Sequence, residues 1–198
     1  MIDDDNNNDL GNPAFYMGTQ EFSAVIPIAV YHMAVFHYLP NHPSHPEIHE
    51  VKDLEGHKIG ILKGTLVDRS QFEKAGITFE ESYSQESLFK KLQKGRIDLV
   101  IEIDLVGKTM IKRLFPSDGE RFSSILIPKS ESPIAILLAE KQLNGNELGV
   151  RYRQGLQKIR LSGEYETILN KYYGPDGLPE HYMRAMERFN IIYNDGDE

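Results

Sequence analysis

Residues 58–103 read KIGILKGTLVDRSQFEKAGITFEESYSQESLFKKLQKGRIDLVIEI, and three short apolar runs within this stretch decide the fold. Lys58-Ile-Gly-Ile-Leu62 predicts a strand, followed at once by Lys63-Gly64-Thr65. Residues 67–75 have helical spacing and meet a stop at Gly76, the residue type that most readily closes a helix in the left-handed region. Residues 77–81 predict a second strand. Ser84 is placed to cap a helix over 85–94, with Leu88, Phe89 and Leu92 on one face and Gly95 at its end. Residues 98–103 predict a third strand, apolar enough to be buried on both faces. Residues 105–114 predict a third helix, stopped by Pro116. Strands alternating with helices of about ten residues predict an α/β layer with a mainly parallel sheet. Its right-handed crossovers would cover both faces of that sheet.

On the N-terminal side, residues 22–38 are rich in β-branched and aromatic side chains. Their second half, 29–38, predicts one buried strand with Pro27 at its edge or start. Residues 40–46 hold three prolines and no hydrophobic period, and form a connector. On the C-terminal side, residues 122–128 and 134–139 predict two further strands. Helices follow over 146–161, 164–173 and 179–193, with a break at Ser162-Gly163. The stripe of Tyr182, Met186, Phe189 and Ile192 on the last helix is read as core packing. No repeat recurs at the 20 to 50 residue period of solenoids and propellers.

Composition narrows the function classes. The 198 residues are 40% hydrophobic and 26% charged, with a net charge of −8. An acidic balance without a clustered Lys/Arg surface argues against a nucleic-acid partner. The best membrane candidate, residues 24–38, is shorter than the ~18 apolar residues of a span and is interrupted by Pro27, His32 and His37. The absence of cysteine excludes disulfides, thiolate nucleophiles and Cys-ligated metals. The opening MIDDDNNNDLGNPAFYMG is acidic and Asn-rich, the opposite of a secretory signal, and is read as a disordered polar tail over residues 1–21.

Three segments carry a resemblance. They are VKDLEGHKIGILKGT at 51–65, LQKGRIDLVI at 92–101 and LQKIRLSGEYETILNKYYG at 156–174. In that order they resemble the second half of the extracellular solute-binding proteins of polar-amino-acid ABC transporters. The likeness runs from about Phe22 to Gly174. It implies a periplasmic-binding-protein-like (type II) two-lobed α/β fold, with lobe two complete and lobe one partial. The implied organisation is a lobe-one or hinge strand with a Pro/His-rich connector over 22–50, lobe two over 51–139, and helices over 140–198 packing towards lobe one. In that family the first lobe begins upstream with a strand, a ligand-gripping aromatic and a Ser/Thr…Arg pair. None of these stands before Phe22, so the expectation is a chain lacking much of lobe one and its export signal.

The resemblance also implies a site. The loop after the first strand grips the ligand's α-carboxylate, which places Thr65 there with Gly64 and the Leu66 backbone. Unpaired N–H groups at a helix start favour anions, which agrees with that role. The bland alternative is a Gly-Thr that only turns the chain and caps a helix. The family's acid for the α-amino group falls at Ile103, flanked by Glu102 and Asp104. Alternation along a strand means neither neighbour points where Ile103 points. Read structurally, Glu102 is a partner for a nearby lysine and Asp104 an N-cap. Read functionally, one of them meets a cationic group.

Three rivals are weighed against ligand capture. Six of the seven histidines lie in the first 57 residues, among them His37, His42, His45 and His49. Their Pro-rich spacing reads as an exposed loop rather than a metal site. Dehydratase-like chemistry on the same fold would use Glu102 or Asp104 as a base. A degenerate lobe acting as a sensor or interaction module is the third. The preferred expectation is a non-enzymatic, cofactor-free trap for an amino acid or related carboxylate, partnered by an ABC permease and periplasmic by resemblance, or cytoplasmic if the chain is complete as written.

Overall fold

The computed structural model describes residues 9–15, 22–41, 48–64, 70–139, 145–174, 177–179 and 181–194. The chain divides into two compact units: residues 32–130 form one, and residues 1–31 with 131–198 form the other. It therefore passes between them twice, at Tyr31–His32 and at Ser130–Glu131.

The 32–130 unit is built on a five-stranded sheet of order β5-β4-β6-β3-β7. Its strands are β3 (Met33–Tyr38), β4 (Ile59–Leu62), β5 (Phe79–Ser82), β6 (Leu99–Ile103) and β7 (Phe122–Leu126). Between them lie α1 (Ser70–Lys74), α2 (Gln85–Gln93) and α3 (Asp104–Leu114). Strand β4 runs parallel to both β5 and β6, whereas β3 is antiparallel to β6 and β7. The sheet is mixed, not mainly parallel. A hydrophobic run carries no direction; direction comes from where the preceding connection returns the chain.

Alternation along β3 and β6 divides the core between the two faces. Phe36, Ala34 and Val100 meet Leu88, Phe89 and Leu92 of α2 and Met110 and Ile111 of α3. Val35, Leu99 and Ile101 meet Ile59, Ile61, Leu54 and Ile77 on the other face, with Phe72 of α1 packed against them. Both faces are covered, as the sequence predicts. Ser84 caps α2 as expected, its side chain accepting a hydrogen bond from the Ser87 amide. Of the helix predicted over 67–75, residues 70–74 are helical and 65–69 lie outside the described residues.

The other unit holds a three-stranded antiparallel sheet of order β1-β8-β2, with β1 (Asp9–Gly11), β2 (Phe22–Tyr31) and β8 (Ser132–Ala139). Helices α4 (Gly145–Leu161), α5 (Glu164–Tyr173) and α6 (Tyr182–Asn194) complete it. Within the stretch expected to be a disordered tail, Asp9–Gly11 is instead a strand paired with β8 and residues 13–15 form a helical turn, because backbone pairing makes no demand on side-chain polarity. Residues 29–38 are not one strand. They split at His32 into the end of β2 and the whole of β3, which belong to different sheets. Pro27 sits within edge strand β2, beside a register shift between Pro27 and Ala29, where a residue without an N–H is tolerated.

Ala24, Ile26 and Leu138 pack against Leu148 and Leu156 of α4, while Val30 packs against Tyr182, Ala185 and Met186 of α6. The stripe on the last helix is core, as read. Ile192 is the exception, being 57% exposed near the helix end. Two phenols finish the β2 backbone: the Val30 amide donates to the Tyr182 hydroxyl at 3.1 Å, and the Tyr165 hydroxyl donates to the Ile28 carbonyl at 2.8 Å. Among the described residues no helix is long and apolar enough to cross a membrane.

Candidate functional site

The parallel strands β5, β4 and β6 end together on one edge of their sheet, and each leads there towards a helix or turn. In open α/β sheets, ligands bind outside the carboxyl ends of the strands, where helix N-termini and their unpaired amides converge. After β4 the turn runs through Lys63 and Gly64. Gly64 has φ +84° and is exposed, and among the described residues no atom beyond its chain neighbours lies within 4 Å of where a Cβ would stand. Among the described residues no side chain plugs this end of the turn. Thr65 and Leu66 lie outside the described residues. The Lys63 amide donates to the Ser82 carbonyl at 2.9 Å, and its ammonium sits 4.9 Å from the ring centre of Tyr83. Tyr83 is 85% exposed, so the loop after β5 presents an aromatic face to water beside a cation.

After β6 come the two acids. Glu102 is 2% exposed and points to the α2 side of the sheet. Its Oε1 accepts from the Ile103 amide at 2.9 Å and its Oε2 from the Gln85 side chain at 3.3 Å. Burial outweighs both bonds and pushes its carboxyl above the usual range. The predicted lysine partner is not what it meets; a glutamine and its own neighbour's amide hold it. Asp104 is 4% exposed and is the first residue of α3 rather than its cap; Ile103 occupies the cap position. One carboxylate oxygen pairs with Lys108 at 3.0 Å. The other, Oδ1, is buried with no hydrogen-bond partner. The backbone N–H of Asp104 donates to the His32 carbonyl at 2.9 Å, which fixes the start of α3 against the end of the crossing segment.

No protein-family model matches the chain. A protein of Escherichia coli (strain K12), provisionally named ABC transporter arginine-binding protein 2, is 27% identical over 135 residues. The match takes in 62% of this chain and spans half the length of that relative. Among solved structures, the substrate-binding protein of an amino acid ABC transporter aligns with a TM-score of 0.60 at 18% identity, over 83% of this chain and 70% of that one. A histidine kinase sensor domain with similarity to periplasmic binding proteins aligns with a TM-score of 0.59 at 18% identity, over 77% and 63%. The chain is similar to an arginine-binding protein of an ABC transporter, and its fold is shared with amino-acid solute-binding proteins. Its fold is periplasmic-binding-protein-like.

Within that fold, Gly64, Glu102 and Asp104 are carried by adjacent strands to the same sheet edge. Their roles differ more than their positions. Glu102 is internally satisfied, whereas Asp104 keeps an unused acceptor. Sequence reasoning missed Gln85, Lys63 with Tyr83, and Lys108. The last had a signal, since an acid in a first helical turn with a lysine four residues on makes a same-face pair. Gln85 had none, because only the sheet brings it to Glu102. Of the histidines, His37 is fully buried within β3 rather than in an exposed loop, and His42 and His45 lie outside the described residues.

Proposed function

We propose that this chain captures a small polar solute, an amino acid or related carboxylate, without chemical conversion, as the binding component of ABC-type import outside the cytoplasm. The observation that carries the reading is Asp104. A nearly sealed carboxylate with one unpartnered oxygen, at the carboxyl end of a strand, favours a ligand bearing a cationic donor. Asp104 suits that role better than Glu102, whose two oxygens are engaged and whose burial favours the neutral form. The open Gly64 turn supports an anionic group held by the backbone, with Thr65 and Leu66 as the expected neighbours. A ligand with an acid at one end and a base at the other fits both. The name of the Escherichia coli relative points to arginine among such ligands.

The test is calorimetric titration of the full chain with L-arginine, L-glutamine, L-glutamate and succinate. Saturable binding of arginine is expected, with succinate weaker. Thr65→Ala should weaken it by about 1–3 kcal/mol, the usual cost of leaving a buried partner unpaired. Asp104→Asn should reduce the preference for arginine over succinate. Equal affinity of the parent and Thr65→Ala chains would contradict the placement of the anion site. The likeness to a sensor domain supports a second reading, in which the same capture feeds a signal. Association of the loaded chain with permease subunits separates import from sensing.

A further inference from the structure

The turn after β4 carries a cation whose charge the fold leaves in place. Three lysines of this unit rest on acids: Lys90 on Glu86, Lys91 on Glu80 and Lys108 on Asp104. Lys63, one residue before Gly64, rests on a ring instead. Its ammonium lies 4.9 Å from the ring centre of Tyr83, and no ion pair joins it to a described residue. The two kinds of support differ in effect. An acid fixes an ammonium and cancels its charge, whereas an aromatic ring holds it through a quadrupole and leaves the charge whole.

Tyr83 is 85% exposed, so its ring adds almost nothing to the core. It stands one residue beyond β5, whose last residue, Ser82, pairs in parallel with Leu62 at the end of β4. The Lys63 amide carries that ladder one step further by donating to the Ser82 carbonyl at 2.9 Å, which holds the two strand ends about one strand spacing apart, ~4.8 Å. The acid nearby on β5, Glu80, is already engaged by Lys91. Lys63 is itself exposed, so a solute at the Gly64 turn has open access to its ammonium. The strand edge thus holds a positioned, uncancelled and accessible positive charge beside the turn assigned to the ligand's anionic group.

We propose that Lys63 is the cation of that anion site, in charge-assisted contact with the ligand's carboxylate, and that Tyr83 is a positioning residue acting through Lys63. The inference rests on the anion-site reading given above and adds a selection rule to it. The site separates a carboxylate from its neutral amide by charge rather than by shape.

The test is calorimetric titration of the full chain with L-arginine and L-argininamide, read as the ratio of their dissociation constants. The parent should prefer arginine. Lys63→Gln should shrink that preference by about three- to fivefold, the size of a partly exposed ion pair, with the loss falling on arginine. Lys63→Arg should restore it. Raising the salt from about 20 mM to about 500 mM should shrink the preference in the parent and change it little in Lys63→Gln. Tyr83→Leu should shrink it as well, Tyr83→Phe should restore it, and adding Tyr83→Leu to Lys63→Gln should cost nothing more. Both side chains are exposed, and melting temperatures verify that each variant is folded. An unchanged preference in folded Lys63→Gln would overturn the role of Lys63 alone. Equal weakening of arginine and argininamide by Tyr83→Leu would place that ring against the ligand and overturn its positioning role. A parent chain that binds no arginine would overturn this inference together with the anion-site reading.

Discussion

Glu102 shows how one buried side chain ties stability to pH. Burial holds its folded-state carboxyl above the ordinary 4.5, against the opposing bonds from Ile103 and Gln85. A raised carboxyl contributes stability that is fully present below the unfolded value and is lost as pH climbs through the folded one. Glu102→Gln stays neutral and should escape that loss. Urea denaturation from pH 4 to pH 8 should show the variant gaining on the parent steadily as pH rises; a constant difference would contradict the assignment. Tyr182 gives a second test at this scale. Tyr182→Phe removes the acceptor for the Val30 amide inside the core and should cost about 1–3 kcal/mol, read as a lower urea midpoint with an unchanged slope.

At the scale of elements, α3 lies against β3 because Gly107 has no side chain. A Cβ there would enter the ring of Phe36, which is itself fully buried and meets Phe89 edge-on at 5.5 Å. Gly107→Ala should therefore destabilise the protein by about 1–3 kcal/mol despite its better helix propensity, because overpacking outweighs the propensity gain. A raised melting temperature would contradict this close approach. Much of the element order was legible in the sequence. The run from β4 to α3 follows the alternation of short apolar strands, the Ser84 cap and the stops at Gly76, Gly95 and Pro116. What was not legible depends on pairing. Residues 29–38 are mostly apolar because β2 and β3 are each largely buried, in different sheets, and no glycine or proline marks the break at His32. Strand direction in the β3, β6 and β7 part of the sheet was hidden for the same reason. The candidate site was half visible: Gly64 and the acids by position, but not the satisfaction of Glu102 by Gln85, which only the folded sheet creates.

At the scale of the whole molecule, two compact units are linked by two crossings of the chain, and the candidate strand-edge site belongs entirely to residues 32–130. A ligand selective for the folded state raises apparent stability by an amount set by its concentration relative to Kd, about 2.7 kcal/mol at a hundredfold excess. Arginine should therefore raise the melting temperature of the parent chain and raise that of Asp104→Asn less. The most direct measurement is an amide-resolved NMR titration of the full chain with L-arginine. The expected result is that the largest shifts fall on Lys63, Gly64 and Thr65 together with Ile103 and Asp104, saturating at one ligand per chain. Saturation of binding with those five amides unmoved would contradict the strand-edge site.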